Sequence, residues 1–203
     1  MTSKVLFLFV FTLFGQADHQ TVRPSIERDV EAAQRLATSV DDCRAERLAP
    51  IRELIQRYGH RREPELRLIV ARGRLATAGG FRFTSRLHQA RRWYISVVRI
   101  YGNEQGIEFR RLVAFARFSL ARMVRGRNAR LRQLSDLMSD LADAEDPELL
   151  HTYHRALTDT VGLFEERGDE ARASELRRQA NELWQSRIRP LLPPPNGDEP
   201  ICV

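Results

Sequence analysis

Apolar residues recur at steps of three and four along most of this chain, the spacing that places them on one side of an α-helix. Ile26, Val30, Ala33, Ala37 and Val40 form a first stripe, and Leu48, Ile51, Leu54, Ile55 and Tyr58 a second. A third runs through Leu66, Ile69, Val70, Gly73 and Ala76, and a fourth through Leu87, Ala90, Tyr94, Val97, Val98 and Tyr101. Phe109, Leu112, Val113, Ala116, Leu120 and Val124 make the fifth; Leu131, Leu134, Met138 and Leu141 make the sixth. The last two are Leu149, Leu150, Tyr153, Leu157, Val161 and Phe164, then Leu176, Ala180, Leu183 and Trp184. No comparably long alternating segment occurs, so an all-α chain of about eight helices is predicted, with no sheet. Phe115 and Phe118 widen the fifth stripe. A helix apolar over so much of its circumference belongs in the middle of the molecule, packed on more than one side.

The breakers group these stripes in pairs. Gly79-Gly80, Gly126 and Gly168 are placed in hairpin turns, and Gly59 and Gly102 close the pairs before them. Asp146-Pro147 offers an N-cap and a proline at the first helical position. The expected organisation is four helical hairpins spanning residues 24–59, 60–102, 103–146 and 147–190, with turns roughly 40 to 47 residues apart. No such hairpin can bury its apolar face alone, so neighbours must stack as antiparallel pairs. After Arg189 the chain reads PLLPPPNGDEPICV, with five of the nine prolines, and residues 190–203 are expected to form an extended, disordered tail.

The last hairpin carries a family likeness. Its turn is Gly168-Asp169, small Ala173 and Ala180 follow seven residues apart, and Phe164 stands four residues before the turn glycine. Over Leu157–Trp184 this resembles a tetratricopeptide repeat, from which Val161 and Gln185 depart; the earlier hairpins share only the helix–turn–helix form. The resemblance implies an α-solenoid scaffold that binds peptides or partner proteins, and it implies no chemistry.

The first seventeen residues read differently. A short segment with Lys4 precedes the apolar run Val5–Phe14, and Gly15-Gln16-Ala17 follows. That order fits a secretory signal peptide with cleavage after Ala17, and so a periplasmic or secreted protein; a buried N-terminal helix or strand is the other reading. The apolar run is too short to span a bilayer, which takes about 20 residues. The two cysteines, Cys43 and Cys202, are open to an internal bridge, to free thiols or to a link between two molecules.

Charge changes the picture most. Of 33 basic residues only Lys4 is lysine, so the chain beyond residue 4 has no lysine for phosphate loops, Schiff bases or general-base catalysis. The arginines are unevenly placed. Residues 57–132 hold 19 arginines against Glu63, Glu65, Glu104 and Glu108, whereas residues 133–203 hold 7 arginines and 15 acids. Arg67 and Arg74, Arg92 and Arg99, and Arg110 and Arg117 are each seven residues apart, so each pair shares one side of its helix. Three readings are open: solvated faces from a GC-rich genome, neutralisation by the acidic C-terminal hairpin within one chain or between two copies, and an anionic partner gripped by guanidinium forks.

Motifs for catalysis are sparse. Glu148, His151 and His154 give Glu-x-x-His-x-x-His on one helix, but no second motif accompanies it, and rim histidines are the plainer reading. His60 beside Gly59 suits a helix end, and His88 lies at the edge of the fourth stripe. No nucleophile elbow, zinc-protease motif or glycine-rich phosphate loop occurs.

The expectation is therefore an exported, non-enzymatic helical-repeat scaffold without catalytic residue, metal or cofactor. Its partner would be an acidic protein or peptide held by Arg67, Arg74, Arg92, Arg99, Arg110 and Arg117, with apolar contact from Trp93 and Tyr94. The alternative is an anionic polymer, lipid headgroups or nucleic acid on the same face, with export arguing against nucleic acid. A homo-oligomer joining basic and acidic hairpins is a further arrangement the charges allow.

Overall fold

A computed structural model describes residues 28–33 and 49–191. The segment 1–17, both cysteines and the chain from 192 onward lie outside the described residues, and with them the readings placed there. Residues 28–33 are helical, and seven longer helices follow. They are α1 (Ala49–Tyr58), α2 (Pro64–Phe83), α3 (Leu87–Tyr101), α4 (Ile107–Arg122), α5 (Arg127–Leu141), α6 (Pro147–Glu165) and α7 (Glu170–Leu183). A π-helical turn, Trp184–Ile188, and a 3-10 turn, Arg189–Leu191, extend α7. Pro190 and Leu191, expected to begin the extended tail, thus continue the helix by one tight turn. The described residues contain no strand, and the chain is all-α.

Chain neighbours pack in pairs: α2 with α3, α4 with α5, and α6 with α7. In addition α2 lies against α4, and α4 against α6, so the first helices of successive hairpins form a continuous row. α3 and α5 each also touch the first helix of the next hairpin. α4 is consequently sandwiched. Phe109, Leu112 and Ala116 enter the core shared with α2 and α3, while Ala114, Phe118 and Ala121 enter the core shared with α5 and α6. This is the physical content of its wide apolar circumference. Leu87 behaves otherwise than its stripe suggests: it stands at the first turn of α3, 54% exposed.

Two of the three glycine turns are where expected. Gly126 and Gly168 adopt the left-handed φ values of 102° and 76° that favour glycine. The third turn is not at Gly79-Gly80, which lie inside α2. The chain reverses at Thr84–Arg86 instead, with Ser85 taking the positive φ and the Arg86 amide donating to the Phe81 carbonyl at 2.8 Å. Carrying the helix one turn further seats Phe81 in the core at 4% exposure. Burying that ring is worth about 2–3 kcal/mol, which matches or exceeds the roughly 2 kcal/mol that the two helical glycines cost together.

Glycines within α2 differ in what they do. A Cβ on Gly73 would lie 2.9 Å from Leu54 Cδ2 and 3.3 Å from Ile51 Cγ2, so its lack of a side chain lets α1 approach α2. A Cβ on Gly79 would meet nothing within 4 Å. Gly79→Ala is therefore expected to raise the unfolding free energy by about 0.5–1 kcal/mol. Gly73→Val should lower it by about 1–3 kcal/mol through overpacking. Urea midpoints of the two variants check both signs.

Candidate functional site

Ion pairs tie one hairpin to the next. Arg67 pairs with Glu104, and Arg72 of α2 reaches Glu108 of α4 at 3.0 Å. One hairpin further, Arg111 of α4 grips Asp146 and also contacts Glu108 at 3.0 Å and Glu148 at 3.5 Å. Asp146 is at the same time the N-cap of α6, accepting from the amides of Glu148 and Leu149, each at 3.1 Å. Its bond to Arg111 is the main reason that guanidinium is held above the usual arginine range. Burial raises the Glu148 carboxyl, opposed by Arg111. Part of the basic block is thus neutralised internally. Acids at the start of one hairpin satisfy arginines of the hairpin before.

The other end of the helix row is compensated differently. Arg155, midway along α6, is half-buried, with its guanidinium 4.8 Å from the Phe118 ring centre and 5.9 Å from that of Phe115. Arg122, at the end of α4, lies over the same Phe118 ring at 5.8 Å. Among the described residues no carboxylate hydrogen-bonds to Arg155 or to Arg82. Burial depresses the Arg155 guanidinium, as do the neighbouring charges of Arg122 and Arg82, while Asp159 opposes them. Asp159 is itself shared, receiving Arg122 at 3.2 Å and Arg130 at 3.0 Å. Asp159 therefore serves Arg122 and Arg130 directly, while Arg155 feels the like charges of Arg122 and Arg82.

His151, one turn before Arg155, is held below the ordinary imidazole range by burial first, then by Arg155 and His154. His154 is lowered by burial alone and packs on Trp184, ring centres 5.3 Å apart. Among the described residues no group of three or more His, Cys, Asp or Glu side chains could hold a metal ion. What this arrangement can do chemically is bind an anion. A planar guanidinium with unfilled donors, fixed on an aromatic face, matches a carboxylate or phosphate bidentately.

The residues singled out from the sequence do not come together. Arg67 lies over the Tyr101 ring at 5.5 Å, and Arg74 over Trp93 at 5.8 Å, so both lie between α2 and α3. Arg92 and Arg99 are exposed on the side of α3 away from its buried Ala90, Tyr94, Val97 and Tyr101. Arg110 is exposed on α4, and Arg117 pairs with Asp140 at 2.5 Å. Trp93 is half-buried, and Tyr94, at 1% exposure, is core and offers a partner no surface. Arg82, Arg122 and Arg155 were not among them, Arg155 because it sits in the acidic third of the chain. The signal that could have marked them is Phe115 and Phe118, two aromatic residues off the main stripe of the central helix. Arg117 also borders a groove of about 250 Å³ between α3, α4 and α5, lined besides by Arg91, Ile95, Leu120, Val124 and Asp136.

Comparison with models of protein families, with curated proteins and with solved structures returned no match.

Proposed function

We propose that the protein is a non-enzymatic scaffold of tetratricopeptide-like hairpins that binds an acidic peptide or protein segment across α2, α4 and α6. The observation that carries this reading is Arg155: a half-buried guanidinium with no carboxylate hydrogen-bonded to it among the described residues, beside Arg82 and Arg122. Burying a cation is costly unless it is paired, so a site of this kind gains most when an anion arrives. Phe115 and Phe118 keep the guanidinium in place before binding, which lowers the ordering cost of association. In this reading residues 1–17 are an export signal, and the mature chain meets its partner outside the cytoplasm.

The test is fluorescence anisotropy with a labelled oligo-glutamate peptide. Arg155→Met keeps the aliphatic packing and removes the charge, and it should weaken binding by about tenfold or more, the value of one charge-assisted hydrogen-bonded pair. Binding by the wild type should fall steeply with added salt. Unchanged affinity in Arg155→Met overturns the reading. N-terminal sequencing of the exported chain tests the leader separately.

A further inference from the structure

The groove between α3 and α5 has walls of opposite charge. No Asp or Glu occurs between residues 66 and 103, so the α3 wall is free of acids. Arg91 lines the groove and Arg99 stands about two turns further along α3. Both are exposed and make no ion pair with a described residue. On the other wall Asp136, Asp140 and Asp143 follow at steps of four and three, along one side of α5 and its end. Asp140 pairs with Arg117, whereas Asp136 and Asp143 are exposed and without an ion pair to a described residue. Arg91 and Asp136 thus share the groove without neutralising each other. Leu120, Val124 and Ile95, the last 39% exposed, supply its apolar lining.

We propose that this face joins two copies of the chain about a two-fold axis running along the groove. Rotation about such an axis exchanges the walls, so the basic α3 of each copy lies on the acidic end of the other's α5. It also preserves level along the helices. Short turns reverse the chain before and after α4, so α3 and α5 run parallel. Arg91 and Ile95 share the groove with Gln133 and Asp136, which sets Arg99 about level with Asp140 and within a turn of Asp143. Arg91 of one copy then faces Asp136 of the partner subunit, and Arg99 faces the partner's Asp143. Arg127 and Arg132 occupy the first half of α5, which confines the match to this end. Ile95 is brought to the axis over the apolar lining opposite, giving an apolar centre within a charged rim. A purely acidic partner would suit α3 but be repelled by Asp136 and Asp143. The groove fits a partner bearing both signs in exchanged order, and a second copy presents that order.

Sedimentation velocity of the full chain tests this, under reducing conditions so that no bridge between cysteines is read as a dimer. The wild type should form reversible dimers that dissociate as salt is raised. Arg91→Glu/Arg99→Glu and Asp136→Arg/Asp143→Arg should each raise the dimer dissociation constant about tenfold or more, because like charges then face each other. An equimolar mixture of the two variants should regain the wild-type affinity as a heterodimer, since both walls are matched again. All four positions are exposed, and circular dichroism verifies that the variants fold. The apolar segment 5–14 is common to every sample, so only the variant and mixture effects are read. Arg155→Met should dimerise like the wild type, which keeps this result separate from the fate of the peptide site. A wild type that stays monomeric up to about 100 μM overturns the proposal, as do variants that dimerise like the wild type or a mixture that stays monomeric. So does oligo-glutamate capture by a monomeric chain that depends on Arg91 and Arg99, because α3 is then a dock for a different acidic protein.

Discussion

Phe118→Ala should lower the unfolding free energy by about 3–5 kcal/mol, among the largest single effects available in this molecule. The ring is 1% exposed and fills the core where α4 meets α5 and α6, so truncation leaves a cavity in the most constrained part of the fold. It also removes the aromatic face that Arg122 and Arg155 share, at 5.8 and 4.8 Å. Phe118→Leu separates the two roles. Leucine keeps most of the volume and should cost about 1.5 kcal/mol or less in stability, yet it withdraws the ring quadrupole, worth about 1 kcal/mol at a half-buried cation. The leucine variant is therefore expected to remain folded while binding the acidic peptide several-fold more weakly. Urea denaturation alongside peptide anisotropy measures both. A leucine variant that loses stability as heavily as the alanine one would show that shape at this position dominates.

The second large effect is expected at Asp146. Asp146→Ala removes the N-cap of α6, worth about 1 kcal/mol, and also strips the half-buried Arg111 of its principal partner, a further 1–3 kcal/mol or so. The sum, about 2–4 kcal/mol, is large for a residue in a loop. Asp146→Asn dissects it. Asparagine still accepts from the Glu148 and Leu149 amides but carries no charge for Arg111, so it should retain the cap and lose only the ion pair. The expected order of denaturation midpoints is wild type, then asparagine, then alanine. Because the pair joins α4 to α6, the alanine variant should loosen the junction of these hairpins before it affects the α2–α3 pair, a difference that hydrogen exchange reads directly.

Much of the helical architecture was legible in the apolar spacing. The stripes beginning at Leu66, Leu87, Phe109, Leu131 and Leu149 supply most of the buried side chains of their helices, although Leu87 itself is exposed and Leu131 half-buried, and the N-cap and proline at Asp146-Pro147 start α6 as expected. The turn of the α2–α3 hairpin was not legible, because a glycine pair has two meanings. It marks a reversal when nothing nearby demands helix, and it is tolerated within a helix when the next residue is a Phe81 that the core requires. The candidate site was less legible still. Runs of arginine in sequence say how much charge a segment carries, but pairing depends on acids 35 to 37 residues away, as in Arg111 with Asp146 and Arg67 with Glu104. A count by segment could not separate arginines that serve the fold from those left uncompensated.

The sequence by itself determined that this chain is all-α, where most of its helices lie, that α4 occupies the middle, and that lysine chemistry is excluded beyond residue 4. These properties are set locally, by the 3.6-residue period, by caps and by composition. Only the tertiary structure decided which guanidiniums are neutralised. Arg67, Arg111 and Arg117 find carboxylates, whereas Arg155 is seated on two rings beside other cations. The physical reason is range. Helix formation reads neighbours three or four residues away, while an ion pair acts over a few Å between residues that only the stacking of whole hairpins brings together.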